Sequence, residues 1–468
     1  MKEQADALVK NGLAEYGYTY LNMDDGFFGG RADDGQLLFH KERFPNGIKV
    51  VADYAHSLGL KAGIYSDGGD NTCGHYYDGE DDDGAGVGLY GFEERDLRMY
   101  LCEYGYDFIK VDWCGGVRLG LSEEEQYTKI GNIIDDLRRE TGRQLVFNIC
   151  RWQFPGPWAA KVADSWRTGA DIAPNFESVM YQIDMIKPLA RYTSPGHVND
   201  LDMMQLGNGG LTHEEEKTHF AMWCMMSTPL MIGCDLTKIS NETLNILKNR
   251  ELIAINQDSA CLQAFVTKEI TDADGKTLGE VWIKDLGKKD SRVKAVAFLN
   301  RSENTLDFNV SLLDVGLTGK ILSARDIVNG ADIEISYTIT ATVPSHGIAV
   351  YRIEAEGSVP VINEDDKGEI ESKPTVKITL EEAKELVKNG AVLVDAREHH
   401  EYNESHLDGA VNINYLYVGG EAKHVIPDKS QKVIVYCRTG KRAMQTKLCL
   451  EYLGYENVYY LGGVNLEK

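Results

Sequence analysis

Seven times before about residue 257, a short apolar run ends in a polar or acidic residue, and a helical stretch usually follows. The runs are YTYLNMDD at 18–25, KAGIYSD at 61–67, DFIKVDWC at 107–114, LVFNIC at 145–150, SWRTGAD at 165–171, HVNDLD at 197–202 and PLMIG at 229–233. Unbroken apolar runs suit strands buried on both faces of a parallel sheet, and alternation with helices suits a barrel or an open α/β sheet. Seven units fall one short of a (β/α)8 TIM barrel, which carries its active site at the carboxyl ends of its strands. Here those ends hold Asp24, Asp25, Asp67, Asp112, Asp171, Asp200 and Asp202. Gathered carboxylates repel one another, so stability alone does not explain them.

The 468 residues are enough for about three domains. From 258 to 356 the pattern becomes short alternating runs, GEVWIK at 279–284, VKAVAFL at 293–299, FNVSL at 308–312 and HGIAVYRI at 346–353, which reads as an antiparallel β-sandwich. Residues 357–374 form an acidic linker. Residues 375–468 read as a compact α/β unit with a helix over 380–389, strands over 391–395 and 432–437, and a helix from Ala443. A net charge of −24 repels phosphate backbones, so nucleic acid is excluded and a neutral substrate fits. No apolar run reaches ~18 residues, so no membrane helix is expected. Nine cysteines in a chain this long argue against a secreted disulfide scaffold, and a cytoplasmic setting is expected.

The sharpest local signal is Lys110-Val111-Asp112-Trp113-Cys114. By position alone Asp112 would serve equally well to cap the following helix. A second acid two strands later, in Trp166-Arg167-Thr168-Gly169-Ala170-Asp171, changes the balance. Two carboxylates converging on one pocket are the minimum equipment for cleaving a glycosidic bond.

These motifs, with Tyr20–Asp25, Asn199–Met203, 206–211, 221–236 and 253–258, resemble family 27 glycoside hydrolases, the α-galactosidases, over roughly the first 355 residues. The resemblance implies a retaining, exo-acting enzyme on terminal α-galactosyl groups, with Asp112 as nucleophile and Asp171 as acid/base. Retention needs the two carboxyl groups ~5–5.5 Å apart. Lys110 shares a strand face with Asp112 and is expected to keep it ionised, while Asp171 needs a poorly solvated or acid-rich setting to start protonated. Asp24 and Asp25 match the pair that accepts hydrogen bonds from the sugar 4- and 6-hydroxyls. Tyr65, Lys110, Arg167 and Asp202 match further sugar contacts, with Trp113 and Trp152 as apolar walls. Cys73 and Cys114 match positions that are disulfide-bonded in several extracellular relatives, while a reducing cytosol would equally leave them as two thiols near the pocket.

Three departures qualify the match. The chain begins inside what corresponds to the family's first helix, so the first strand and its tryptophan-rich motif are expected upstream of Met1. Arg151 stands where the sugar 2-substituent is read, which keeps α-N-acetylgalactosaminidase and β-L-arabinopyranosidase open as alternatives. Leu201 replaces a proline. A non-catalytic galactoside-binding or sensor protein is the alternative from another class.

In the last unit, Cys437-Arg438-Thr439-Gly440-Lys441-Arg442 lies between a strand and a helix, a setting that favours an anionic sulfur. With VDAR at 394–397, Glu401, HLDGAVNI at 406–413 and LGG at 461–463, this segment resembles a rhodanese-like domain. The resemblance implies a persulfide on Cys437, thiosulfate sulfurtransferase activity, and Arg438 and Arg442 orienting a small anionic sulfur donor. The acidic run at 80–84 fails the calcium-loop pattern. No glycine-rich phosphate loop or zinc-spaced ligand set appears, so neither cofactor nor metal is expected.

Overall fold

The computed structural model describes residues 1–77, 83–336, 338–363, 377–415 and 418–465; the acidic positions 80–82 and most of the expected linker lie outside them. Six of the seven apolar runs form one parallel sheet in chain order: Tyr20–Asn22, Lys61–Asp67, Phe108–Asp112, Val146–Ile149, Ser165–Arg167 and Val198–Asp200. Their apolar side chains are buried on both faces, as continuous runs require. The seventh run makes only an isolated parallel bridge, Met204 with Ile232. Asn22 on the first strand reaches this run, with Nδ2 3.8 Å from Met231 Sδ. The sheet is therefore the curved wall of a TIM-type barrel, and the packed helices cover its outside.

Register decides which side chains share a layer. Tyr65 pairs with Lys110, and two residue pairs further on Asp67 pairs with Asp112. Arg167 pairs with Asp200. Residues two apart on a strand share a face, so Lys110 and Asp112 both point toward the strands' carboxyl-end mouth.

A six-stranded antiparallel sheet follows, packed with the pair Leu306–Ser311 and Thr338–Val343. It adds strands Phe265–Thr271 and Leu317–Asp326 to those read from sequence. Against the barrel helix His213–Met226, buried Lys284 donates to Ser227 Oγ at 2.6 Å and Cys224 O at 3.2 Å. The last unit is a four-stranded parallel sheet with helices Leu380–Lys388 and Lys441–Tyr452 among those around it. Buried residues of this unit and of the barrel mouth, including Trp152, Tyr181, Cys449 and Leu450, belong to one apolar cluster.

Candidate active site

At the carboxyl end of the parallel sheet, alternating charges tie the expected carboxylates together. Lys110 Nζ lies 2.8 Å from Asp24 Oδ2. Burial pushes the Asp24 carboxyl up, but the charge and hydrogen bond of Lys110 outweigh it and the net displacement is downward. Burial likewise depresses Lys110, and Asp24 and Asp112 more than reverse it. Arg167 Nη2 bridges two acids, at 3.2 Å from Asp171 Oδ1 and 2.9 Å from Asp202 Oδ2.

Asp112 is pulled in two directions. Lys110 opposes the rise in its pKa, as does a hydrogen bond from the Cys150 thiol, yet burial wins and lifts the carboxyl to about 6. The direct partner of Lys110 is Asp24, so the ammonium does not hold Asp112 at an ordinary carboxylate value. Asp112 Oδ1 is buried with no hydrogen-bond partner among the described residues. Asp171 faces Asp24, Asp112 and Asp202, so its neighbourhood is acid-rich. It is not poorly solvated, because 42% of its side chain is exposed.

The other expected sugar contacts are spread around this centre. Asp25 accepts backbone N–H bonds from Gly26 and Gly74, each 2.8 Å. A cavity of about 440 Å³ opens beside Asp24 and Asp25 and runs to Met1, Arg43 and Phe44. The Tyr65 ring lies under Lys110, 5.5 Å from Nζ, and its hydroxyl accepts from the Cys73 backbone N–H at 3.3 Å. Arg151 is buried and paired with Glu123 at 2.7 Å. Trp152 and Asp202 both take positive φ, 64° and 77°, a conformation costly for non-glycine residues and concentrated at functional sites. Trp113 is not a wall of the pocket: it is buried in the core, its ring 4.9 Å from that of Tyr127.

Cys73 and Cys114 are joined by a disulfide. Cys73 Sγ lies 3.3 Å from Asp112 Oδ2, so the bridge floors the pocket beside the candidate nucleophile. Asp67, Cys73 and Cys114 have ligand-type atoms within 4.8 Å of one another. The sulfurs are bonded to each other, however, and Asp67 accepts three backbone N–H bonds, from Gly69, Cys114 and Gly115. That set is spent on structure rather than poised for a metal.

In the last unit, Cys437 Sγ ends a strand and accepts backbone N–H bonds from Gly440 at 3.0 Å and Ala443 at 3.4 Å. The loop needs glycine at 440, where φ is 102° and a Cβ would stand 2.5 Å from the Tyr460 hydroxyl. Arg442 is bidentate to Glu401 and Arg438 is exposed, so Arg438 is the more accessible cation.

Sequence reasoning passed over Cys150 and Gln445 at the first site. Cys150 carried the only readable signal, as the last residue of an apolar run. Gln445 gave none, because it lies 274 residues from its partner Asp171.

Comparison with known proteins agrees with this layout. A family profile described as "Alpha galactosidase A" matches residues 1–258, one described as "Alpha galactosidase C-terminal beta sandwich domain" matches 277–353, and one described as "Rhodanese-like domain" matches 379–465. An α-galactosidase of Oryza sativa subsp. japonica is 36% identical over 355 residues, covering 75% of this chain and 79% of the relative. Alpha-galactosidase A of Cellvibrio japonicus is 35% identical over 378 residues, 75% of this chain and 87% of the relative. The crystal structure of α-galactosidase I from Mortierella vinacea superposes with a TM-score of 0.67 at 28% identity, covering 76% of this chain and 93% of that one.

Proposed function

The chain belongs to the α-galactosidase family of glycoside hydrolases and carries a C-terminal rhodanese-like domain, and on that premise we propose that it is a retaining, exo-acting α-galactosidase. The observation that carries the reading is the pair Asp112 and Asp171. The first is buried with an unpartnered Oδ1, and the second is held by Arg167 with its side chain partly open to solvent.

In the proposed reaction Asp112 Oδ1 attacks the anomeric carbon as the glycosidic bond breaks. Asp171 gives its proton to the departing oxygen, leaving a galactosyl ester on Asp112. Asp171, now ionised, takes a proton from water, which attacks the anomeric carbon and frees Asp112. Arg167 favours the ionised Asp171 of the second half-reaction. Asp24, bonded to Lys110, and Asp25 are placed to accept hydrogen bonds from sugar hydroxyls. Arg151 is buried and tied to Glu123, and its position is where the family resemblance puts reading of the 2-substituent. Comparing aryl α-galactoside, α-N-acetylgalactosaminide and β-L-arabinopyranoside tests the assignment, with the first expected to be turned over fastest.

For the rhodanese-like domain we propose a persulfide carrier at Cys437. The N–H groups of Gly440 and Ala443 would stabilise an anionic sulfur there. Thiocyanate formed from thiosulfate and cyanide, and lost in Cys437→Ser, tests this. No thiocyanate from the intact chain would leave the domain a binding or regulatory role.

A further inference from the structure

The rhodanese-like domain does not stand clear of the sugar-cleaving site. Its helix Lys441–Tyr452 turns three residues toward the barrel mouth. Gln445 Nε2 donates to Asp171 Oδ2 at 3.3 Å. Lys447 is fully buried and paired with Glu451 at 2.6 Å, and its charge faces Glu123 and Arg151 of the barrel. Cys449 Sγ is hydrogen-bonded to the Tyr181 hydroxyl. A lysine on an ordinary surface helix keeps its ammonium in water. Here the barrel covers it, and burial pulls its pKa down.

We propose that the rhodanese-like domain supplies one wall of the galactosidase site, with Gln445 as a positioning residue for the acid/base Asp171. The inference rests on the assignment of Asp171 above. The acid/base touches the glycosidic oxygen, so whatever flanks Asp171 borders the leaving group.

The chemistry of glutamine suits this place. Asp171 must be protonated in the first half-reaction and ionised in the second. A primary amide can donate Nε2–H to the carboxylate, and after a half-turn its Oε1 can accept from the carboxyl proton. Gln445 is 2% exposed and its Oε1 has no partner among the described residues, so the turn breaks no other bond of that oxygen. A buried unpartnered carbonyl is costly unless something uses it.

Among the described residues, the charged and titratable groups facing Asp171 include Arg167, Asp202, Asp24, Asp112 and Cys150 from the barrel. Gln445 bonds it from the rhodanese-like domain. Arg167 and Gln445 therefore donate to its two oxygens, one each.

The test is the pH dependence of kcat/KM for the full chain on an aryl α-galactoside. Gln445→Glu places a like charge on Asp171 and is expected to raise the basic limb by about one pH unit. Gln445→Leu removes the donor and is expected to raise that limb by roughly half a unit and to lower kcat about three- to tenfold, with KM little changed. Basic limbs within 0.2 unit of wild type in both active variants would overturn the proposal.

A second measurement needs no turnover. Hydrogen exchange in Tyr181→Ala is expected to deprotect the distant helix Lys441–Tyr452. Unchanged protection there would overturn the wall. An inactive wild-type chain in which the helices remain coupled would sink the galactosidase reading and still support the contact.

Discussion

Asp112 shows how a single residue is set by competing terms. A carboxyl near 3.9 in an unfolded chain that sits at about 6 in the fold is disfavoured as an anion. The cost is absent below the unfolded value, grows as pH rises from about 4 to 6, and is complete above 6. Asp112→Asn is therefore expected to abolish turnover of aryl α-galactosides while stabilising the fold by roughly 1–3 kcal/mol at pH 7.5. Chemical denaturation at pH 7.5 and pH 4 measures both ends, and a gain of equal size at the two values would contradict the burial argument. If Asp112 is the nucleophile proposed above, it must be ionised to react, and the same shift then puts the acid limb of kcat/KM near pH 6, which a pH–rate profile reads directly. The sequence made Asp112 legible through its strand and its lysine, but not the balance between them. Lys110 turned out to bond Asp24, which lies past the end of a different, non-adjacent strand and so outside any spacing within its own.

Among elements, strand ends were legible and helix starts only in part. The three acids Glu214, Glu215 and Glu216 read as residues that complement a helix N-terminus, and they do open the helix His213–Met226. Two of them do more. Glu215 forms a capping box with Thr212, and Glu216 accepts from Gly207 N–H at 2.7 Å and Thr243 Oγ1 at 3.0 Å. This helix also presents Trp223, whose Nε1 donates to Asp202 O at 2.9 Å where the backbone takes positive φ. The helix thus supports the site from behind. Thr212→Ala is expected to cost about 1 kcal/mol and lower Tm without changing kcat, which thermal unfolding alongside an activity assay would show. In the sandwich, strand Leu317–Asp326 was missed because register shifts break its alternation of buried and exposed residues. A period-two pattern is visible only where pairing is regular.

At the scale of the whole molecule, the order barrel, sandwich and rhodanese-like unit could be read from changes in hydrophobic period. Contacts between the units could not, since Lys447 and Gln445 read as ordinary polar positions of an amphipathic helix. A galactosidase-family barrel and a rhodanese-like domain share one chain, and the independence of the two proposed chemistries can be measured. Cys437→Ser is expected to remove thiocyanate formation and leave galactoside hydrolysis within about twofold of wild type, because among the described residues Cys437 accepts from its own loop and helix. Asp112 and Asp171 are proposed to act in two displacements at one anomeric carbon. Proton NMR of the first sugar released from an aryl α-galactoside tests it most directly. α-Galactose appearing before mutarotation is the predicted result; β-galactose appearing first, or no release by the intact chain, would contradict it.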